Sequence, residues 1–217
     1  MGLTIHYRLK YDDREPKKIL ERLRQRALDL PFAEVSPKIY HFKGRLADWQ
    51  NHGRDSIFTW ALIQATENVE HEEYGRKYYI EVLPKEVYLF NAWPGEECEE
   101  ANFGLAKYPA TVDFHGKRLR TNLGDSWRWN SFCKTQYASK VSLEHFLRCH
   151  YAVCLLLKEA EKLGLLARVN DEGNFWDSWD FEALAREVSG WNHMIQDAVD
   201  RLKATFGDKN VLSPIDG

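Results

Sequence analysis

Nothing in the 217 residues approaches the roughly 18 uninterrupted apolar residues of a membrane-spanning helix, so no membrane partner is expected. The opening MGLTIHYRLK has no basic stretch leading into a long apolar core, and His6 stands where a myristoylation motif places Ser or Thr. Neither export nor lipidation is expected, and the chain reads as cytoplasmic. The four cysteines, Cys98, Cys133, Cys149 and Cys154, contain no CxxC pair, which leaves a disulfide framework or a paired-thiol zinc motif without support. An excess of one charge is missing too: 30 Lys and Arg against 33 Asp and Glu give a net charge of -3, and nothing global draws the chain to nucleic acid. No low-complexity linker divides the chain, so a single domain over 1–217 is expected. Aromatic residues are abundant, with 8 Trp, 10 Tyr and 11 Phe, and a chain of this size can bury a core without metal or disulfide staples.

Leu3 to Leu9 alternates apolar with polar and predicts a half-buried strand. Asp12, Glu15 and Pro16 then signal a helix start, and Ile19, Leu20, Leu23, Ala27 and Leu30 recur at helical spacing. Ala33 to His41 is extended and interrupted by Pro37, completing a first β-α-β unit over about 1–45. The same order returns over about 127–175. Ser131 to Tyr137 predicts a strand, Ser142 a helix cap, Phe146 to Leu163 an apolar stripe, and Leu165 to Val169 a second strand before the turn at Asn170 to Gly173. Between the two units, Tyr78 to Val82, Glu86 to Trp93 and Phe103 to Tyr108 predict hairpins, and Ile57 to Thr66 predicts a strand. Asp180 caps a short helix to Val188, and Ser189 starts a longer one ending at Gly207, together a helical cover over 178–207. The expected fold is α+β, broadly ferredoxin-like: a mixed, largely antiparallel sheet with two β-α-β units and helices on one face.

His145 and Cys149 stand one helical turn apart, close enough to share a metal ion, with His150 and the strand residue Cys133 as further ligands. A divalent metal is the cofactor such a set would take. The same residues could serve a thiol-dependent hydrolase with His150 as base, whereas on an apolar stripe Cys149 is equally a small core hydrophobe. His115, Lys117, Arg118, Arg120, Trp127, Arg128, Trp129 and Lys134 interleave cations with rings, the chemistry of phosphate contact and base stacking. Strand alternation alone also produces that pattern. Glu96, Glu97, Glu99 and Glu100 around Cys98, and Glu67, Glu70, Glu72 and Glu73 around His71, read as solvated segments. Asp171-Glu172-Gly173 offers two carboxylates at a strand end, or a plain turn with Gly173 at positive φ.

Gly2 to Tyr7 (GLTIHY), Ala101 to Pro109 (ANFGLAKYP), Ser131 to Ser139 (SFCKTQYAS), Phe146 to His150 (FLRCH) and Asp171 to Gly173 (DEG) together resemble a family of bacterial hypothetical proteins, over most of the chain. The resemblance implies a bacterial origin and carries no activity, cofactor or site residue. The leading expectation is a binding protein whose Lys107, Arg128, Lys134 and His150 line a groove beside Ser131 to Tyr137 and take a small anionic ligand or a protein partner. The alternatives are the metal- or thiol-dependent hydrolase built on His145, Cys149 and His150, and nucleic-acid or nucleotide binding through 115–134.

Overall fold

A computed structural model describes residues 3–44, 61, 63–188 and 204. The alternating opening forms strand β1, Thr4–Tyr11, with Ile5, Tyr7 and Leu9 buried and His6, Arg8 and Lys10 exposed. Successive side chains of a strand point to opposite faces, so one face of β1 seals a core and the other stays open. Helix α1, Pro16–Leu28, begins on proline, whose missing N–H has no partner to lose in a first turn, and buries Ile19, Leu20, Leu23 and Ala27. Strands β2, Glu34–Val35, and β3, Tyr40–Lys43, lie on either side of Pro37. Residues 61 and 63–65 are helical where a strand is expected, and the rest of 57–62 lies outside the described residues. Ala61 and Ala65 are buried while Ile63 is 67% exposed, which is the spacing of one helix face.

Strands β4, Glu67–Glu73, and β5, Arg76–Val82, form one hairpin, and β8, Thr111–Phe114, with β9, Lys117–Arg120, another. The main sheet takes β6, Glu86–Trp93, β7, Ala101–Lys107, and β10, Trp127–Lys134. A 3-10 turn over Gln136–Lys140 replaces the expected end of the last of these. Helix α2, Leu143–Lys162, starts at Ser142, whose Oγ accepts the His145 N–H at 3.0 Å. Strand β11, Leu166–Asp171, and the short helices α3, Phe175–Ser178, and α4, Phe181–Val188, complete the described chain. Asp180 caps α4 through Oδ1, which accepts the N–H groups of Glu182 and Ala183 at 2.8 and 3.0 Å. In the preceding turn the positive φ belongs to Asn174 and not to Gly173, where a Cβ would stand 2.8 Å from Leu184 Cδ1. The expected helix from Ser189 lies, apart from residue 204, outside the described residues. No helix among the described residues is long and apolar enough to cross a membrane.

The seven-stranded sheet runs β11-β1-β10-β7-β6-β2, with β3 also on β6, and its pairings are antiparallel throughout, without the parallel pairs of a mixed sheet. The strands flanking α2 are not neighbours, since β1 lies between β10 and β11, and those flanking α1 are separated by three strands of the sheet. The two expected β-α-β halves are therefore crossovers over intervening strands. Periodicity identifies a strand but not the strand it pairs with. The architecture is α+β, with α1 packed on α2, β6 and β7.

Between β7 and β10 the ladder is registered at one pair, Arg128 opposite Ala106. Further along, Tyr7 Oη and Trp129 Nε1 both donate to the Asn102 carbonyl, at 2.8 and 2.7 Å. The Trp129 indole lies against Gly104, where a Cβ would come within 2.8 Å of the ring, so the close approach requires glycine. Gly104→Ala is expected to lose about 1–3 kcal/mol, the range for an overfilled core. A lower urea midpoint at unchanged slope is the measurement that checks it.

Candidate functional site

The open face of β1 sets out a grid. In register, His6 faces Asn170 of β11 on one side and Phe132 of β10 on the other, while Arg8 faces Arg168 and Asn130. Directly opposed residues of antiparallel strands share a face, and like charges so placed repel. The register shifts after Arg8, because Leu9 faces Leu166, so Ala167 bulges out of the β1–β11 ladder beside the two arginines. Arg8 Nε donates to Asn130 Oδ1 at 2.6 Å, and Asn130 Nδ2 donates in turn to Glu67 on β4. Burial pushes the Glu67 carboxyl above its ordinary pKa, against the pull of Arg8 and Arg128. The Arg168 side chain has no hydrogen-bond or ion-pair partner among the described residues.

A groove of about 510 Å³ covers this grid, lined by His6, Arg8, Gln64, Asn130, Arg168 and Asn170 among others, and no carboxylate lines it. Gln64 anchors one wall by donating to the Asn130 carbonyl at 2.6 Å. Gln64 and Phe132 also line a second cavity of about 500 Å³ with Ala61, Leu89, Asn102 and Trp129, so a cationic groove adjoins a largely apolar one. Glu99 and Glu100 also line the second cavity, with Glu100 Oε2 accepting from Asn91 Nδ2 at 2.6 Å.

Of the residues singled out from sequence, Lys107 and Lys134 end antiparallel strands that run in opposite directions, so the two lysines stand at opposite ends of the β7–β10 pair. Lys134 faces Glu99 at 3.9 Å. Arg128 turns to Ser126 Oγ, at 2.9 Å, and His150 is fully buried beneath α2. These four do not line one groove. The basic and aromatic run is likewise dispersed: Lys117 pairs with Glu73, Arg118 with Asp113 at 3.9 Å, and Trp129 is core. His6, Arg8 and Arg168 escape a sequence reading because each is an ordinary exposed residue until strand pairing sets it beside the others, and Gln64 because only tertiary packing brings its helix to Asn130.

The proposed metal set also divides. Cys149 Sγ lies 3.6 Å from His145 Nε2, while His150 faces the other way, one residue on and about 100° around the helix. His150 Nε2 donates to Asp171 Oδ2 at 3.1 Å, and its Nδ1 is 2.8 Å from Thr135 Oγ1. His150, Cys154 and Asp171 do bring ligand atoms within 4.8 Å of one another. Their protons argue for a structural role: burial keeps the Cys154 thiol well above its usual pKa, and Asp171 is filled by the N–H groups of Gly173 and Trp176, each at 2.9 Å. Thr135, His150 and Asp171 have the order of a hydroxyl–imidazole–carboxylate relay, yet none lines either cavity. Cys133 is buried, its thiol donating to the Glu99 carbonyl at 3.2 Å.

Burial would raise the Asp171 carboxyl, but the His150 hydrogen bond and charge, with the two N–H donors, hold it below the ordinary range. A carboxyl whose folded pKa is depressed stabilises the fold fully above its unfolded value, about 3.9, and loses that contribution as pH falls through the folded value. Asp171→Asn is expected to cost about 3–5 kcal/mol at pH 7, as for a broken buried pair. In urea titrations from pH 7 down to pH 2, the gap between wild type and variant should close only below about pH 4.

Comparison of the chain with protein-family models, curated proteins and solved structures gives no match.

Proposed function

We propose that the protein binds an anionic ligand with an apolar body on the open face of its sheet. The anion sits between Arg8 and Arg168, and the body lies over Phe132 towards Trp129. One observation carries this reading: two arginines oppose each other across β1 and β11 in a groove without a lining carboxylate. Left alone, that pairing opposes folding by a few tenths of a kcal/mol to about 1 kcal/mol, and a bound anion reverses its sign. Two guanidinium forks suit a carboxylate, sulfonate or phosphate, each of which accepts paired N–H donors. Asn130, oriented by Gln64 and Glu67, holds Arg8 in place before the ligand arrives, which lowers the entropy lost on binding. The adjoining apolar cavity supports a ligand larger than a bare inorganic ion.

The strand order β11-β1-β10-β7, with α2 crossing from β10 to β11 over β1, supports a ferredoxin-like reading of that part of the sheet. A bacterial source and a cytoplasmic setting belong to the same proposal and rest on sequence alone.

Anilinonaphthalene sulfonate, an anion on an aromatic body, is a direct probe. Saturable fluorescence enhancement with folded wild type is expected, and Arg8→Gln and Arg168→Gln should each weaken it by about tenfold or more, the loss of one charge-assisted hydrogen bond. Equal affinity in wild type and both variants, with circular dichroism unchanged, would overturn the reading.

A further inference from the structure

The second cavity has a polar wall that differs in character from the cationic groove. On β6 and β7, Asn91 pairs directly with Asn102, and Phe90 with Phe103. The two phenylalanines are fully buried in the core, so strand alternation turns the two asparagines to the open face, where both line the cavity. Their amide N–H groups are already committed. Asn91 Nδ2 donates to Glu100 Oε2 at 2.6 Å, and Asn102 Nδ2 donates to the Glu100 carbonyl at 3.3 Å. A carboxylate only accepts, and this fixes which end of the Asn91 amide is the oxygen. Asn91 Oδ1 is then a buried acceptor with no hydrogen-bond partner among the described residues. Leaving such an atom unpaired is costly, so its donor is to be sought in whatever fills the cavity. Lys134 Nζ stands 3.9 Å from Glu99 Oε1, whereas Glu100 has no ion-pair partner among the described residues. Acceptors are thus in excess at this wall, while the groove at Arg8 and Arg168 holds donors and no lining carboxylate. Gln64 and Phe132 line both spaces, and Leu89, Trp129 and Phe132 supply apolar surface in the second.

We propose that the ligand is a zwitterion: beyond the anion and apolar body inferred above, on which this step rests, it carries an ammonium group that donates to Asn91 Oδ1 and the Glu100 carboxylate. An ammonium has three N–H donors and no acceptor, so one group serves both oxygens and adds charge attraction to Glu100. A hydroxyl offers a single donor and sets its own lone pairs against a wall already rich in acceptors. The arrangement also gives the ligand a direction. Reversed, it would put its ammonium between two arginines and its anion against Glu99 and Glu100, and repulsion at both ends rejects that pose. Lys134 tempers Glu99, which leaves Glu100 as the carboxylate that selects the ammonium. The chemical class is an amino acid or amino sulfonate whose charged ends are separated by an apolar, ring-bearing spacer.

Two naphthalene sulfonates of nearly equal size test this, one bearing an aminomethyl group on the ring remote from the sulfonate and the other an ethyl group there. Each is titrated into the folded full chain at neutral pH as a competitor of anilinonaphthalene sulfonate. The aminomethyl compound should bind wild type about tenfold more tightly, the value of one hydrogen bond between charged partners. Glu100→Gln and Asn91→Ala, with native circular dichroism, should each cut that preference by about threefold or more. Asp113→Asn, which removes a carboxylate from the β8–β9 hairpin, should keep the preference of wild type. Equal affinity of the two compounds, or a preference that survives both Glu100→Gln and Asn91→Ala, sinks the zwitterion; the anion reading then still stands if Arg8→Gln weakens both compounds. Failure of both compounds to displace the dye, or displacement indifferent to Arg8→Gln and Arg168→Gln, removes the anion reading and this inference with it.

Discussion

The two-faced alternation of β1 is the constraint on which the rest depends. Ile5, Tyr7 and Leu9 close the helix-covered core, so His6, Arg8 and Lys10 have no choice but the opposite face. A one-residue slip would bury two cations and expose the aliphatic row, and that penalty fixes the register with β10 and β11. The register in turn sets Arg8 opposite Arg168 and His6 opposite Phe132. The cationic groove therefore follows from core formation on the other side of the same strand.

Helix α2 makes a comparable division by angle. Residues 149 and 150 are neighbours in sequence but about 100° apart around the helix, so they serve separate environments. Cys149, with His145 and Arg148, meets the turn at residues 94–98, whereas His150 and Cys154 meet Asp171 at the end of β11. The first group meets a turn in which Cys98 is partly exposed. The second is sealed, with His150 and Asp171 hydrogen-bonded, so it ties helix to strand at the cost of desolvating a charge. Reactive residue types gathered in a short stretch thus split into one group that packs on the turn at residues 94–98 and one that ties the helix to β11.

Local signals in the sequence were legible wherever the physics is local. The period-two pattern at Leu3 to Leu9, the cap at Ser142 and the cap at Asp180 correspond to β1, α2 and α4. Charge misled at Glu67 to Glu73, where the solvated segment is strand β4, its alternate residues half-buried, with Glu67 meeting Asn130, His71 meeting Phe114 and Glu73 meeting Lys117. Apolar content misled at residues 61–65, where a short run suits strand and helix alike.

By itself, the sequence determined strand β1, helices α1, α2 and α4 with their starts, and the apolar faces of β1, α1 and α2. Each rests on residues within a few positions of one another. Tertiary structure alone decided which strands pair, which arginines face each other, and which turn packs on Cys149. Arg8 and Arg168, or Pro94 and Cys149, meet only after the sheet is ordered, because their contact depends on pairings between segments far apart in the chain, and single-strand periodicity carries no information about a partner.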